Sequence, residues 1–584
     1  MLPDDPLQRV LYVDLSRRRS WVEERPDLFE RSLGGSGVAI RLLAEECPEG
    51  VNPLDPENPI VFAVGPLVGL FPMASKTVAM FKSPHTSELG ESHAGGRSAV
   101  AVRLAGYGAI VIRGASTMPI YLVVNGERVR FRDASALWGM RSSYTVGDIL
   151  RERESGSGHR TIMRIGRAGE EAVSYACVVT ETYRHFGRLG LGAVFGSKQL
   201  KGLVVIGDRK LRVGDPRAYR EVYDEIFDAA TRSELMQKYH ELGTSMNILP
   251  LDEIGALPTR NLQQRRFEGA EEISGEHLAH EYLARRLACA HCPVACIHLA
   301  ALRTPHPDEP YFYKTSMLGY DYEPIYALGS MLGGSDTQGM LKLMDEVEIQ
   351  GLDAISTGVV LAWATEALNR GLVSVEETDG LELAWGKYET YIEAVPRIVR
   401  QPTSFYRALA RGVDHAASVY GGKRFALALG GSEMPGYHTG PAAHLTCLAG
   451  ARHSHLDSAG YSLDQRAAIS GESLHPQGVA ASLLGEERWR QVLASLVVCF
   501  FARGVYTPAT VLRALSVVGC DRSEDDLDAL GADVLRRKYD FKMREGFNPQ
   551  ELRIPSRILE TESPLGRVEE SFIRQSIHHF VQRL

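Results

Sequence analysis

Three cysteines fall within eight residues, at Cys289-Ala-His-Cys292-Pro-Val-Ala-Cys296. That spacing constrains the fold more than any other stretch of the chain. Thiols this close can share one tight loop and converge on one small object, although a loop without a metal has the same spacing. Soft, anionic sulfur ligands suit an iron–sulfur cluster, and three from one loop lower the entropy of assembling it. A fourth ligand then has to come from elsewhere in the fold. A structural zinc ion with His291 or His298 as fourth ligand is the competing reading. Spacing favours iron–sulfur without excluding zinc.

The remaining cysteines, Cys47, Cys177, Cys447, Cys499 and Cys520, are scattered. Eight in 584 residues is far below the density of a disulfide scaffold. In a reducing compartment clustered cysteines read as metal or redox ligands, and isolated ones as small buried apolar residues. The formal net charge of −8 argues against nucleic-acid binding. No apolar run reaches the ~18 residues of a membrane span. The start, MLPDDPLQRV, lacks the pattern of a secretory signal. A cytoplasmic protein of roughly three or four domain-sized units is expected.

Residues 1–208 are glycine-rich and carry short β-branched runs at Ile60–Val64, Ala109–Ile112, Ile120–Val124, Val173–Val179 and Leu203–Ile206. Asn125-Gly126 between apolar runs predicts a tight hairpin turn. From about residue 211 the pattern becomes amphipathic helix, as in Pro216–Tyr239, Asp336–Arg370 and Ser404–Tyr420, with Ser335-Asp336 offering a cap. Gly421-Gly422 and Gly430–Gly440 mark a break. Residues 441–584 read as mostly helical, with a charged loop near Asp540–Pro555. No short repeat and no low-complexity linker is visible. The fold class expected is α+β: a β-rich cofactor-binding domain over residues 1–208, a helical domain over 209–425 with the cysteine loop, and a helical domain over 426–584.

Gly187, Gly190 and Gly192 lie close together in Gly187-Arg188-Leu189-Gly190-Leu191-Gly192, and Gly95-Gly96 precedes Arg97. Such glycines let backbone N–H groups approach a phosphate or a planar ring. The order is neither a dinucleotide fingerprint nor a Walker loop, and a turn or bulge accounts for it equally well.

Taken together these pieces resemble the aldehyde:ferredoxin oxidoreductase family. The resemblance runs through Gly65-Pro66, Ser83-Pro84, Gly95-Gly96, Ala105-Gly106-Tyr107, Leu137-Trp138-Gly139, Ile165-Gly166 and Ala168-Gly169-Glu170. It continues with Gly187-Arg188, Gly190-Leu191-Gly192-Ala193-Val194, Gly196-Ser197-Lys198, Leu200-Lys201 and Ala256-Leu257-Pro258-Thr259-Arg260-Asn261. The three-cysteine loop, Tyr322-Glu323 and Gly351-Leu352-Asp353 through Ile355-Ser356-Thr357-Gly358 complete it.

The resemblance implies tungsten, or molybdenum, on two pyranopterins beside one [4Fe-4S] cluster; a magnesium ion is a further candidate. It implies a β-rich base under the pterin pair and two helical domains above it. The family's late cysteine follows a D-x-x-G-L motif. The matching run here is Ala494-Ser495-Leu496-Val497-Val498-Cys499, so Cys499 is the implied fourth cluster ligand after Cys289, Cys292 and Cys296. The other such motif is Glu348-Ile349-Gln350-Gly351-Leu352-Asp353, with Glu348 for the usual Asp. Ala494 lacks the acid altogether, and Lys76 replaces a frequent Arg, keeping charge but losing the bidentate fork. Lys76, Gly95, Gly96, Gly187, Arg188, Gly190, Gly192, Glu348, Gly351, Leu352, Asp353 and Val498 are the implied cofactor contacts. Glu323 matches the family's active-site glutamate. His455 matches its histidine, with His453 two residues away as the alternative.

The implied reaction turns an aldehyde and water into a carboxylic acid, with Glu323 and His455 managing protons. Two electrons leave singly through the cluster to ferredoxin or a dedicated iron–sulfur subunit. A rival on the same cofactor is reduction of an acyl- or aromatic-CoA. A rival of another class is a zinc-containing scaffold without catalysis, which the missing acid at Ala494 would suit. No E-x-x-H counterpart follows Glu346 or Glu348 to hold a dimer-bridging metal, so homo- and hetero-oligomers both stay open.

Overall fold

The β-branched runs of the first third pair into two six-stranded sheets in the computed structural model, which describes residues 5–181, 183–306 and 309–584. Residues 1–4, the beginning of the MLPDDPLQRV stretch, lie outside the described residues. The first six strands are β1 (Arg9–Asp14), β2 (Arg19–Glu24), β3 (Ile60–Ala63), β4 (Thr77–Lys82), β5 (Leu89–Ala94) and β6 (Ala109–Arg113). Their order in the sheet is β2-β1-β6-β3-β4-β5. The next six are β7 (Ile120–Asn125), β8 (Arg128–Asp133), β9 (His159–Ile165), β10 (Val178–Thr180), β11 (Arg184–Phe186) and β12 (Leu200–Gly207), ordered β11-β10-β9-β12-β7-β8.

The two sheets share one topology. In each, a hairpin (β1–β2, β7–β8) precedes an antiparallel meander (β3–β4–β5, β9–β10–β11). The last strand (β6, β12) then inserts between them. It runs parallel to the first hairpin strand and antiparallel to the first meander strand. The edge strands β5 and β11 of the two sheets lie against each other. The chain leaves both edges through a glycine–arginine corner, Gly95-Gly96-Arg97 after one and Gly187-Arg188 after the other. A helix follows each corner, at Ser98–Ala105 and Leu191–Ser197. The repeat is one of topology and spans about a hundred residues, too long and too diverged to show as a short sequence period.

Local sequence explains most of these elements. Asn125 pairs with Arg128, so Gly126-Glu127 makes the expected hairpin turn, with Gly126 at φ 55°. The run Val173–Val179 is different. Only Val178–Thr180 forms a strand, because Ala172 turns left-handed at φ 53° and the following residues fold into a turn. The long helical runs are each divided. Pro216–Tyr239 becomes Pro216–Arg232 and Glu234–Glu241, where Ser233 caps the second piece. Ser404–Tyr420 becomes Ser404–Leu409 and Val413–Tyr420. Asp336 caps Thr337–Gln350, which stops at Gly351 (φ 76°), and Asp353 then caps Ala354–Asn369 through the N–H groups of Ile355 and Ser356.

Two expectations need correction. The segment Leu283–Tyr320 is no helix: it is a three-stranded sheet of β13 (Leu283–Leu287), β14 (Ile297–His306) and β15 (Glu309–Tyr320). β14 and β15 form a long hairpin with Tyr311, Phe312 and Tyr313 exposed near its tip. Nor does the charged loop begin at Asp540. The helix Glu524–Arg544, opened by a capping box of Ser523 and Asp526, carries through its start, and the loop is confined to 545–555 around the short 3-10 turn Pro549–Glu551.

Burial organises the chain into two large apolar cores. One holds the two sheets and the other most of the helices. The helix Pro476–Ser495 joins them: Val479, Ala480, Leu483 and Leu484 enter the helical core, while Val492 and Leu493 enter the sheet core. Each such fully buried aliphatic side chain contributes roughly 1.5–3 kcal/mol. This helix therefore ties its C-terminal end, which leads to Cys499, rigidly to the β base. Among the described residues no helix is long and apolar enough to cross a membrane.

Candidate functional site

The cysteine loop links β13 to β14 and is turned by two left-handed residues, His291 (φ 56°) and Ala295 (φ 52°). Backbone hydrogen bonds stitch it to two distant segments. The Met73 N–H donates to the His291 carbonyl at 3.0 Å, and the Cys499 N–H donates to the Met73 carbonyl at 3.0 Å. The Lys76 N–H donates to the Val497 carbonyl at 3.1 Å. Cys289, Cys292, Cys296 and Cys499 consequently line one cavity of about 340 Å³. Cys499 is reached because the helix Pro476–Ser495 ends in a turn with Val497 at φ 54°. A β-branched residue is disfavoured there by roughly 1–2 kcal/mol, and Val497 occupies the position where the family pattern has glycine.

Neither histidine of the zinc reading faces that cavity. Both ring nitrogens of His298 lie against carbonyls, those of Cys296, His240 and Glu241. His291 is exposed and borders a separate groove. Among the described residues no three His, Cys, Asp or Glu side chains converge closely enough to hold a single metal ion. Four thiols spaced around a cavity match a cluster several atoms across better than one ion. Burial and mutual repulsion push the Cys292 thiol up to about 12. Burial and the neighbouring Cys499 do the same to Cys296. Iron would bind these sulfurs as thiolates and remove that repulsion.

Cations surround the thiols. Lys76 is buried, which opposes its charge, yet the sulfurs of Cys499 and Cys289 outweigh burial and raise its pKa. Arg184 behaves likewise beside Cys289 and Asp321. A Cβ on Gly95 would stand 2.7 Å from the Cys289 sulfur and 3.3 Å from the Lys76 nitrogen, so only glycine fits between them. A second cavity, about 200 Å³, shares Lys76, Arg184, Gly187 and Glu323 with the first and adds Gly95, Glu348, Leu352 and Asp353.

Among the described residues, four buried nitrogens in the wall of the larger cavity have neither a hydrogen-bond nor an ion-pair partner: Arg184 Nε, Arg188 Nη1, Arg490 Nη2 and His455 Nδ1. An unmet buried donor costs roughly 1–3 kcal/mol. A ligand rich in phosphate and carbonyl oxygens would satisfy them, so these residues fit a pterin cofactor. Arg188 is held in place from behind. Its Nε lies 3.3 Å from Asp353 and its Nη2 donates to the Glu433 carbonyl at 2.6 Å. The Glu433 carboxylate accepts from Ser356 at 2.7 Å and lies 2.8 Å from His85 Nε2. Burial alone would raise the Glu433 carboxyl, but His85 holds it down at about 2.

Not every anticipated contact reaches a cavity. A Cβ on Gly190 would strike the Ser174 carbonyl oxygen at 2.1 Å, and one on Gly192 the Cys177 carbonyl oxygen at 2.5 Å. One on Gly351 would meet the Gly166 nitrogen at 2.9 Å. These three glycines serve close backbone packing instead of lining the cavity. Val498 is buried and its N–H donates to the Leu493 carbonyl at 2.9 Å. Gly96 faces the separate groove. Glu348 lies 2.6 Å from His185 Nε2.

In the wall of the larger cavity Glu323, at the start of the helix Tyr322–Leu328, lies 3.0 Å from His455 Nε2. The Tyr437 hydroxyl donates to the same carboxylate oxygen at 3.2 Å. Burial would raise the Glu323 carboxyl, but His455 and Tyr437 hold it below its ordinary value. Nearby Asp321 moves the other way, up to about 6, through burial and the repulsion of Glu323. The Tyr437 ring stacks on Tyr461 at 4.4 Å and sits 5.0 Å from the His455 ring. His453 points elsewhere: it is buried against the Cys447 carbonyl, Glu88 at 2.7 Å and Lys542 at 2.9 Å. Sequence reasoning missed Tyr437, Tyr461, Arg184 and Asp321. Tyr437 lies in Met434-Pro-Gly-Tyr437, where no motif announces it.

Residues 10–207 match the family described as aldehyde ferredoxin oxidoreductase, N-terminal domain. Residues 218–583 match aldehyde ferredoxin oxidoreductase, domains 2 and 3. The chain is 30% identical to a tungsten-containing aldehyde ferredoxin oxidoreductase of Thermococcus kodakarensis, over 96% of this chain and 92% of that one. It is also 30% identical to an aliphatic sulfonate oxidoreductase, WOR-like subunit, of Pyrococcus furiosus, over 70% of this chain and 66% of that one. Among solved structures, the active site complex BamBC of benzoyl coenzyme A reductase, with 1,5-dienoyl-CoA, superposes with a TM-score of 0.84 at 20% identity. That superposition covers 100% of this chain and 95% of the other, and it shows a shared fold.

Proposed function

Because the chain belongs to the aldehyde ferredoxin oxidoreductase family and is a tungsten oxidoreductase of that family, we propose that it oxidises aldehydes to carboxylic acids and passes the electrons to ferredoxin or an iron–sulfur partner. The family uses a tungsten bis-pterin and an iron–sulfur cluster. The observation that carries the aldehyde reading is the Glu323–His455–Tyr437 set in the wall of the thiol-lined cavity.

Lys76, Arg184, Arg188 and the Asp353 side are the groups to hold the pterins, and Cys289, Cys292, Cys296 and Cys499 the cluster. When bound, the tungsten pterin would supply a two-electron acceptor and the cluster a one-electron relay. Aldehyde plus water yields acid, two protons and two electrons. This chain's part is to hold substrate and move those protons. Glu323, ionised well into the acid range, is the acceptor for a proton leaving the substrate or water. His455 Nε2, 3.0 Å away, is the next station, and Tyr437 fixes the carboxylate's orientation. The ring stack of Tyr437 and Tyr461 forms an apolar wall beside them. Eight cysteines in 584 residues, three of them clustered, suit a reducing compartment such as the cytoplasm.

Tyr437→Phe should lower kcat by about tenfold, the loss of one hydrogen bond to a charged group, about 1.5 kcal/mol. The hydroxyl helps to depress the Glu323 pKa, so its removal should also move the acid limb of the pH–rate profile upward. An unchanged acid limb in kcat/KM would remove Tyr437 from the set. Elemental analysis tests the whole reading: tungsten and iron are expected, and zinc alone overturns it. Dye-linked activity on simple aldehydes is expected; turnover of an aryl-CoA with none on aldehydes would replace the substrate assignment.

A further inference from the structure

Outside the cofactor cavities the cysteine loop borders a groove of about 1170 Å³ between the second sheet and β13. Arg97, Arg151, Arg160 and Arg285 line it, together with His159 and His291. Among the described residues its wall holds one carboxylate, Glu181, which is buried and bonded to Thr161. Arg97, Arg151, Arg285 and His291 are exposed. Arg151 meets Asp148 at 3.0 Å in a solvent-facing pair, and Arg160 spends its guanidinium on backbone carbonyls. The concentration of cations stands against the chain as a whole, which carries a net charge of −8. One face of the groove is Ala288, Ala290 and His291, the residues flanking the thiols, so an occupant would rest directly on the loop that carries Cys289 and Cys292. The Ala290 N–H donates to the Gly96 carbonyl at 2.8 Å, which fixes that loop to the basic wall.

We propose that this groove is the docking surface for an acidic one-electron carrier protein, a ferredoxin-like partner that receives electrons from the cluster. The proposal rests on the electron-acceptor part of the function above and specifies where that acceptor binds. Charge complementarity of this kind steers encounter and sets orientation, and it weakens with salt. A carrier seated here would lie against the loop that carries Cys289 and Cys292.

The test uses the loaded full-length enzyme and a purified acidic bacterial-type ferredoxin. The triple variant Arg97→Glu, Arg151→Glu, Arg285→Glu should raise the ferredoxin Kd about tenfold or more at low ionic strength and flatten its salt dependence. It should leave dye-linked turnover unchanged. A control triple with the same charge change outside the groove, at the exposed Arg217→Glu, Arg220→Glu, Arg232→Glu of the helix Pro216–Arg232, should stay within about twofold of wild type, as none of the three lines the groove and exposed charges beyond it are screened. Binding that is absent in the wild type, unaffected by the groove triple, or equally affected by both triples overturns the proposal. Because Kd is measured without substrate, an enzyme inactive on aldehydes still reports on docking. Failure of the aldehyde reading therefore shows in the dye assay, and failure of the docking reading in Kd.

Discussion

Glu323→Gln should cut aldehyde oxidation with a dye acceptor by a factor of about 10² to 10⁴, the usual worth of a positioned acid–base group. The amide keeps the shape of the side chain and can still accept from Tyr437, so binding and fold are preserved while the proton acceptor is lost. Tungsten and iron contents should match the wild type, because the glutamine keeps the side chain's volume in the cavity wall and Glu323 is not one of the four thiol ligands. The 3.0 Å contact between Glu323 and His455 predicts strong coupling. His455→Ala should also be severe, and the double variant should fall little below the worse single one. A loss of less than tenfold in Glu323→Gln would remove the carboxylate from proton transfer and leave it as a structural neighbour of Asp321.

The second large effect is expected at Cys499. Cys499→Ser should abolish the [4Fe-4S] signal of the reduced enzyme and lower its iron content. Electron transfer to a protein acceptor should stop with it. Because metal binding is folding free energy, the denaturation midpoint should fall as well. Cys520→Ser is the matched control. Cys520 is buried in the sheet core, away from the thiol-lined cavity, and its replacement should leave the signal intact. An unchanged spectrum in Cys499→Ser would break the ligand assignment and reopen the search for a fourth ligand.

Much of the fold and of the site is legible in the sequence because it depends on local patterns. The cysteine spacing, the β-branched runs of the first third and the cap at Asp336 are such patterns. Residues 283–320 lie between helical segments, which masks their own signal, although the alternation through Ile297-His298-Leu299-Ala300 favours the strand that forms. Gly190, Gly192 and Gly351 illustrate a different limit. Their match to the family pattern signals a close approach, but the sequence does not say whether a cofactor or another backbone is what approaches. Tyr437 shows the third limit. It meets Glu323 only because Gly436 passes under Tyr326, a contact between parts of the chain about a hundred residues apart. No local signal carries that.

The backbone stitches from Met73 to His291 and from Cys499 to Met73 bear on the order of events during synthesis. Three thiols leave the ribosome together, but the fourth follows roughly two hundred residues later, beyond a helix that spans both cores. Each sheet, by contrast, closes within its own stretch of about a hundred residues once its inserted strand is made. The base can therefore stand folded while the cage above it is open. The four-thiol site itself is complete only once the helix Pro476–Ser495 has docked and brought Cys499 to the three thiols of the loop.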